Sequence, residues 1–257
     1  MAYSSKMMEN YSVAAIFTIE NSQGIDEIRI ELNNRGYDAI RIQEGADLHS
    51  DFASAIQAQI IARQEQYTKT MRTLTAFNIA FNVYQGLVNL LRVTFENEKD
   101  IMQELGLFGK RERSASGFIT QSTFFYNTLL NKDKIYNRIA KFQITKEMLQ
   151  ADLELVNDFE KANQEQEDAK GSFKEETKKR DISYRKLRHW MREFEKVNKI
   201  VFHDKPYLLE RLRLQALTDI TNKTKPTDST DDQPPTTTPA TQVQSNPESV
   251  TANNHES

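Results

Sequence analysis

The densest run of residues able to do chemistry lies between Lys178 and Lys199, where nine bases face three acids. Lys178, Lys179, Arg180, Arg185, Lys186 and Arg188 could together hold an anionic partner, since several clustered cations displace the counterions of a phosphate backbone or a lipid surface. A solvated helix face has the same composition, and that plainer reading leads. The segment before it, residues 146–177, carries ten acids against four bases. An acidic start and a basic end suit a helix macrodipole, but that effect fades within about one turn of each end and cannot account for the whole gradient.

The other reactive residues form no recognisable machinery. Gly106-Leu107-Phe108-Gly109-Lys110 has two glycines and a lysine, but a phosphate loop needs four residues between its glycines and a Ser or Thr after the lysine. A helix stop with basic residues near the last carbonyls explains it. None of the four histidines, His49, His189, His203 and His255, has a glutamate three residues before it, so the paired ligands of a bundle di-metal site are missing. His189 and Glu193 read as a solvated pair at four-residue spacing. With no cysteine in the chain, disulfides, thiolate metal sites and cysteine nucleophiles are excluded. No catalytic residue, cofactor site or metal site is assigned. Trp190, the single tryptophan, falls on an apolar stripe with Leu187, Met191 and Phe194 and reads as a packed aromatic.

These residues require long helices to carry them. Proline is absent before Pro206, and five of the six prolines fall between Pro226 and Pro247. The body is therefore permissive for uninterrupted helix, while residues 221–257, rich in Thr, Pro, Asn, Asp and Ser, are expected to form a disordered tail. The spacing predicts a first long helix from near Asp47 to Leu105, with Phe52, Ile56, Ile60, Tyr67, Met71, Leu74, Phe81 and Tyr84 on one face. A second long helix is predicted from the N-cap Thr145 to near Pro206, through Leu149, Val156, Phe159, Ala169, Tyr184, Leu187 and Phe194. Between Glu160 and Asp181 its stripe thins to small and polar residues, which predicts a narrow, weakly anchored seam. Shorter helices are expected over Phe118–Leu130, Ile135–Phe142 and Tyr207–Ile220. In residues 1–45, Ile28, Ile30 and Leu32 alternate like a strand while Ile25, Ile28 and Leu32 also fit a helix; a small β-containing element is the reading adopted.

Several strings resemble a family of uncharacterised bacterial helical proteins. They are Leu105-Gly106-Leu107-Phe108-Gly109-Lys110-Arg111, Phe142-Gln143-Ile144-Thr145, the stretch from Lys161 to Gly171, and Leu187-Arg188-His189-Trp190-Met191-Arg192-Glu193-Phe194. The resemblance covers roughly residues 95–205. It implies a helical body and gives no reaction, cofactor or partner.

The sequence thus predicts an elongated, mainly all-α antiparallel bundle over residues 46–220, with a small element over 1–45 and a tail over 221–257. No secretory signal is convincing and residues 76–95, interrupted by Asn78, Asn82, Asn89 and Arg92, read as an amphipathic core helix, so a soluble, cytoplasmic protein is expected. The leading functional reading is a non-catalytic helical scaffold or protein-interaction module, binding itself through the thin seam or another protein. An anion-binding module using the basic run, for nucleic acid or anionic lipid, is second. A pore-forming protein in which residues 76–95 rearrange is third.

Overall fold

A computed structural model describes residues 5–214 and Ile220. The expected tail, residues 221–257, and most of the end of the last predicted helix lie outside the described residues. Two helices dominate: α3 (Ala39–Thr94) and α7 (Lys146–Val201), each of 56 residues. At 1.5 Å per residue each is about 84 Å long. They run antiparallel in one register, because Gly45 meets Trp190, Phe52 meets Tyr184, Thr73 meets Ala162 and Phe77 meets Phe159. On α3 the residues facing α7 recur every seventh position: Gly45, Phe52, Gln59, Gln66, Thr73 and Ala80 are all buried. That is the spacing of a left-handed two-helix supercoil.

The N-terminal segment is helical, which corrects the expected β element; among the described residues there is no strand. Helix α1 (Ser5–Gly24) is followed by α2 (Asp26–Asn33). In α2 the four-residue spacing prevails over the alternation, because Ile28 and Leu32 turn into the core while Ile30 is 56% exposed. Gly36, at φ 83°, then turns the chain, and the Asp38 carboxylate accepts the Arg41 amide at 2.9 Å to start α3. Helix α3 thus begins well before Asp47. It also ends earlier than predicted: Phe95 packs inward with no exposure, and α4 (Lys99–Glu104) is a separate short helix before Gly106 at φ 61°. Arg92 holds this fold-back, its guanidinium donating to the carbonyls of Leu107 at 2.9 and 2.7 Å and of Gly109 at 2.7 Å. Within residues 76–95, Arg92 is therefore a structural donor.

Helix α5 (Ala115–Asn131) is capped by Ser114, and α6 (Asp133–Ile139) runs into one 3-10 turn, Ala140–Phe142. Thr145 caps α7 by accepting the Met148 amide at 3.2 Å, as its sequence position predicts. Helix α8 (Pro206–Arg211), with Pro206 in its first turn, closes the described body.

Apolar burial divides into two cores, one at each end of the long pair. The first joins Met8, Tyr11, Ala15 and Ile19 of α1 and Ile28 and Leu32 of α2 to Phe52, Tyr184, Leu187 and Phe194, with Leu208 of α8. The second joins Phe118, Phe125, Tyr126 and Leu129 of α5 and Ile135 and Ile139 of α6 to Tyr84, Val88, Leu91, Leu149 and Phe159. We call these the N-head and the mid-head. The stretch between them is a two-helix waist.

Candidate interaction surfaces

The waist is polar where a coiled coil would be apolar. Gln59, Gln66 and Thr73 occupy the buried seven-residue positions of α3, and Ala162 and Ala169 face them from α7. Hydrogen bonds and ion pairs make up for the small apolar area. Thr73 Oγ1 donates to the Ala162 carbonyl at 2.8 Å, and Gln166 Nε2 donates to Thr70 Oγ1 at 3.0 Å. On the opposite edge Glu165 binds Lys69 at 2.9 Å and Arg72 at 2.6 Å, and these cations hold its carboxyl below the usual range. The thin seam expected between Glu160 and Asp181 corresponds to this waist.

The basic run is not one surface. Lys178, Lys179, Arg185 and Lys186 are exposed, but Arg180 is 2% exposed and lies in the seam. Its position explains why: Arg180 is seven residues before Leu187 and fourteen before Phe194, both buried. Its Nε and Nη2 donate to Asp181 Oδ1 at 3.2 and 2.9 Å. Arg188 is half-buried, its guanidinium 5.9 Å from the Tyr184 ring centroid. Lys179 is engaged by Glu175 at 3.0 Å and Glu176 at 2.8 Å, and Arg185 Nε donates to the Asp181 carbonyl at 3.2 Å. The exposed face instead continues through Arg192, Lys196 and Lys199, of which Lys199 binds Glu195 at 2.6 Å. Lys178, Arg185, Arg192 and Lys199 recur every seventh residue, a spacing visible in the sequence that would have separated this outer stripe from Arg180.

The heads are rigid aromatic assemblies. In the N-head, Trp190 stacks on Phe194 with centroids 5.1 Å apart, and Tyr11 meets Tyr184 edge-on at 5.1 Å. Burial pushes the Tyr11 phenol far above its ordinary range, with Tyr184 adding to the effect. His49 is half-buried beside Ser12, Nε2 lying 3.0 Å from Oγ, and burial holds its imidazole below the usual value. In the mid-head, Tyr84 meets Phe125 edge-on at 5.2 Å and accepts Arg111 Nη1 at 2.9 Å. Arg111 Nη2 also donates to the Phe108 carbonyl at 2.7 Å, so this arginine ties the 105–113 loop to the core. Burial raises both the Tyr126 phenol and the Asp152 carboxyl. Arg138 pairs with Glu98 through both of its terminal nitrogens and keeps that carboxyl ionised.

Both heads present apolar side chains to solvent. Val13, Phe17, Ile30, Ile40 and Ile200 are 41–75% exposed on the N-head, and Val93, Phe108, Phe124, Phe142 and Met148 are 49–75% exposed on the mid-head. Among the described residues no group of three or more His, Asp or Glu is placed to hold a metal ion, and no helix is long and apolar enough to cross a membrane. Compared with protein-family models, curated proteins and solved structures, the chain matches none.

Proposed function

We propose that this chain is a non-catalytic helical spacer and interaction module, working in a reducing compartment such as the cytoplasm, in which a continuous helix pair holds two partner-binding heads at a fixed separation. The observation that carries this reading is the division of the apolar interior into two cores at the ends of one long pair, joined by a waist with almost no apolar seam. A single globular function needs one core and one cleft, whereas a spacer needs stiffness between two separate docking surfaces. Exposed aromatic and aliphatic side chains on both heads are the residue types that anchor protein interfaces.

A photo-reactive residue at Phe17 or at Phe124, introduced in the source cell, tests the proposal. Protein adducts from both positions, with different partners for the two heads, are the expected outcome. Absence of protein adducts from either head would reject the spacer. The second reading, an anion-binding module, is favoured by one observation, the seven-residue stripe of exposed bases from Lys178 to Lys199. Lys199 at the end of that stripe already meets Glu195, and Lys179 beside its start meets Glu175 and Glu176, and for that reason this reading stands second.

A further inference from the structure

The outer face of α7 carries one uninterrupted exposed stripe. Stepping by three and four residues from Glu154 through Asp168 and Lys178 to Lys199, every residue on it is exposed and lies opposite the seam that packs on α3. Its charges are sorted by position. Glu154, Asp168 and Glu175 stand before the level of Thr177, with Lys161 as the exception. Lys178, Arg185, Arg192, Lys196 and Lys199 stand after it, with no acid on the stripe among them. Most of these charges are left over by the fold. Among the described residues Glu154, Asp168, Lys178, Arg185, Arg192 and Lys196 form no ion pair, while Glu175 and Lys199 meet Lys179 and Glu195 on their own helix.

Two further residues break the polar pattern. Ile182, 39% exposed, is the one large apolar side chain of the stripe, and Gly171 is its one position without a side chain. A Cβ built on Gly171 would meet nothing within 4 Å, so the space above it is open. Gly171 and Ile182 lie at equal distances on either side of a point midway between Glu176 and Thr177. Glu175 and Lys178, Asp168 and Arg185, and Glu154 and Lys199 are centred on that same point. Lys161 and Arg192 are centred there too, one like-charged pair against three opposite ones.

We infer that this stripe docks on the same stripe of a second copy of the chain, the two α7 helices running antiparallel about a two-fold axis at the level of Glu176 and Thr177. This rests on the reading of the chain as an interaction module and names one of its partners. A row of charges that is acidic first and basic second is its own complement only when reversed. An antiparallel copy therefore satisfies both halves, whereas a polyanion would meet the basic half alone and be repelled by the acidic one. The register that sets Ile182 of each copy over Gly171 of the other also sets Asp168 against Arg185, Glu175 against Lys178 and Glu154 against Lys199. Steps of three and four residues are the spacing at which two helices mesh, and each contact occurs twice because the same patch is used by both copies. Such a pair closes as a dimer. With one apolar contact near its centre and exposed ion pairs along the rest, it is reversible and screened by salt. It also places the N-head of each copy beside the mid-head of the other.

Sedimentation velocity of the full chain from about 1 to 300 μM tests this, at about 20 mM salt and again at about 500 mM. A monomer–dimer equilibrium is expected at low salt, weakened by tenfold or more at high salt. Asp168→Arg and Arg185→Asp should each weaken the dimer by tenfold or more, and the two combined should restore it to within about threefold. Both side chains are exposed, so the thermal melt should be unchanged in all three variants. Lys161→Glu should tighten the dimer, because it turns the like-charged pair with Arg192 into an opposite one. As the chain has no cysteine, spin labels on Gln164→Cys or on His189→Cys give the register. Both positions lie the same distance from the axis, so each label should report about 38 Å between copies. A chain that stays monomeric at low salt, a dimer indifferent to salt, a double variant as weak as either single one, or unequal label distances overturns the proposal. If that monomer still cross-links to proteins at both heads, the spacer reading survives and the antiparallel dimer does not.

Discussion

Gly45 of α3 lies directly under the indole of Trp190 of α7: a Cβ built on Gly45 would come within 2.5 Å of Cη2 and 2.7 Å of Cζ2 and Cζ3. The atoms in the way belong to a rigid ring that stacks on Phe194 and meets Tyr37 edge-on at 6.1 Å, so the ring cannot move without disturbing the N-head. Alanine in place of a mid-helix glycine ordinarily stabilises by about 1 kcal/mol. Here the overpacking cost of about 1–3 kcal/mol opposes it. Gly45→Ala is expected to lower stability by up to about 2 kcal/mol in urea unfolding, and the loss should shrink in a Trp190→Leu background. A variant more stable than wild type would show that the close approach is absent.

The half-buried His49 makes N-head stability depend on pH. Burial depresses its folded pKa below the ordinary 6.5, with the Ser12 contact and Glu20 opposing that shift. The unfolded chain therefore binds a proton first as pH falls, and stability rises with pH across this window. The contribution is complete above the unfolded value of about 6.5 and is lost as pH falls through it toward the folded value. Urea midpoints measured from pH 7.5 to 5.5 should fall, and His49→Gln should flatten that slope. Glu98 and Glu165, whose pKa values are lowered by Arg138 and by Lys69, act in a separate and more acidic window.

Polar residues at the centre of the seam reverse the usual sign of a core substitution. Gln59 and Gln66 are 2% and 4% exposed at positions where a coiled coil carries leucine. Replacing both by Leu should raise stability by about 1–2 kcal/mol through added apolar burial, with the melting temperature as the readout. A loss of stability would mean that both amides are fully hydrogen-bonded in the seam and that their removal strands their partners.

The long helices were legible because their apolar spacing persists over many turns, and Thr145 because a hydroxyl cap just before an apolar stripe is a local signal. What failed was set by distant contacts. The start of α3 at Ala39 depends on Gly45, because the helix needs a residue without a side chain beneath Trp190. The break after Thr94 depends on Arg92 reaching the carbonyls of Leu107 and Gly109, which no periodicity reveals. Ile28, Ile30 and Leu32 satisfy two periods at once, and only packing against α3 and α7 selects the helix. Of the candidate site, the cationic character of the run was evident, but counting charges treats Arg180 like its neighbours. Its seven-residue distance from Leu187 was the available clue.

That distinction gives the final prediction, on three consecutive cations of one helix. Lys178 and Lys179 are exposed, whereas Arg180 is buried against the seam and binds Asp181. Exposed lysines contribute about 0–1 kcal/mol each, and the contacts of Lys179 with Glu175 and Glu176 are screened by solvent. Lys178→Gln, Lys179→Gln and Lys186→Gln combined should therefore leave the melting temperature within a degree or two of wild type. Arg180→Gln removes one member of a buried, hydrogen-bonded ion pair and should cost about 3 kcal/mol. The same variants separate the two leading functional readings in a salt titration against duplex DNA and against anionic vesicles. For a solvated face, binding is weak and gone near physiological salt, and the triple variant behaves like wild type once salt is raised. Submicromolar binding retained at physiological salt and abolished in the triple variant, whose fold is intact, would place the anion site ahead of the spacer. Arg180→Gln cannot serve in its place, because losing the seam would mimic losing the charge.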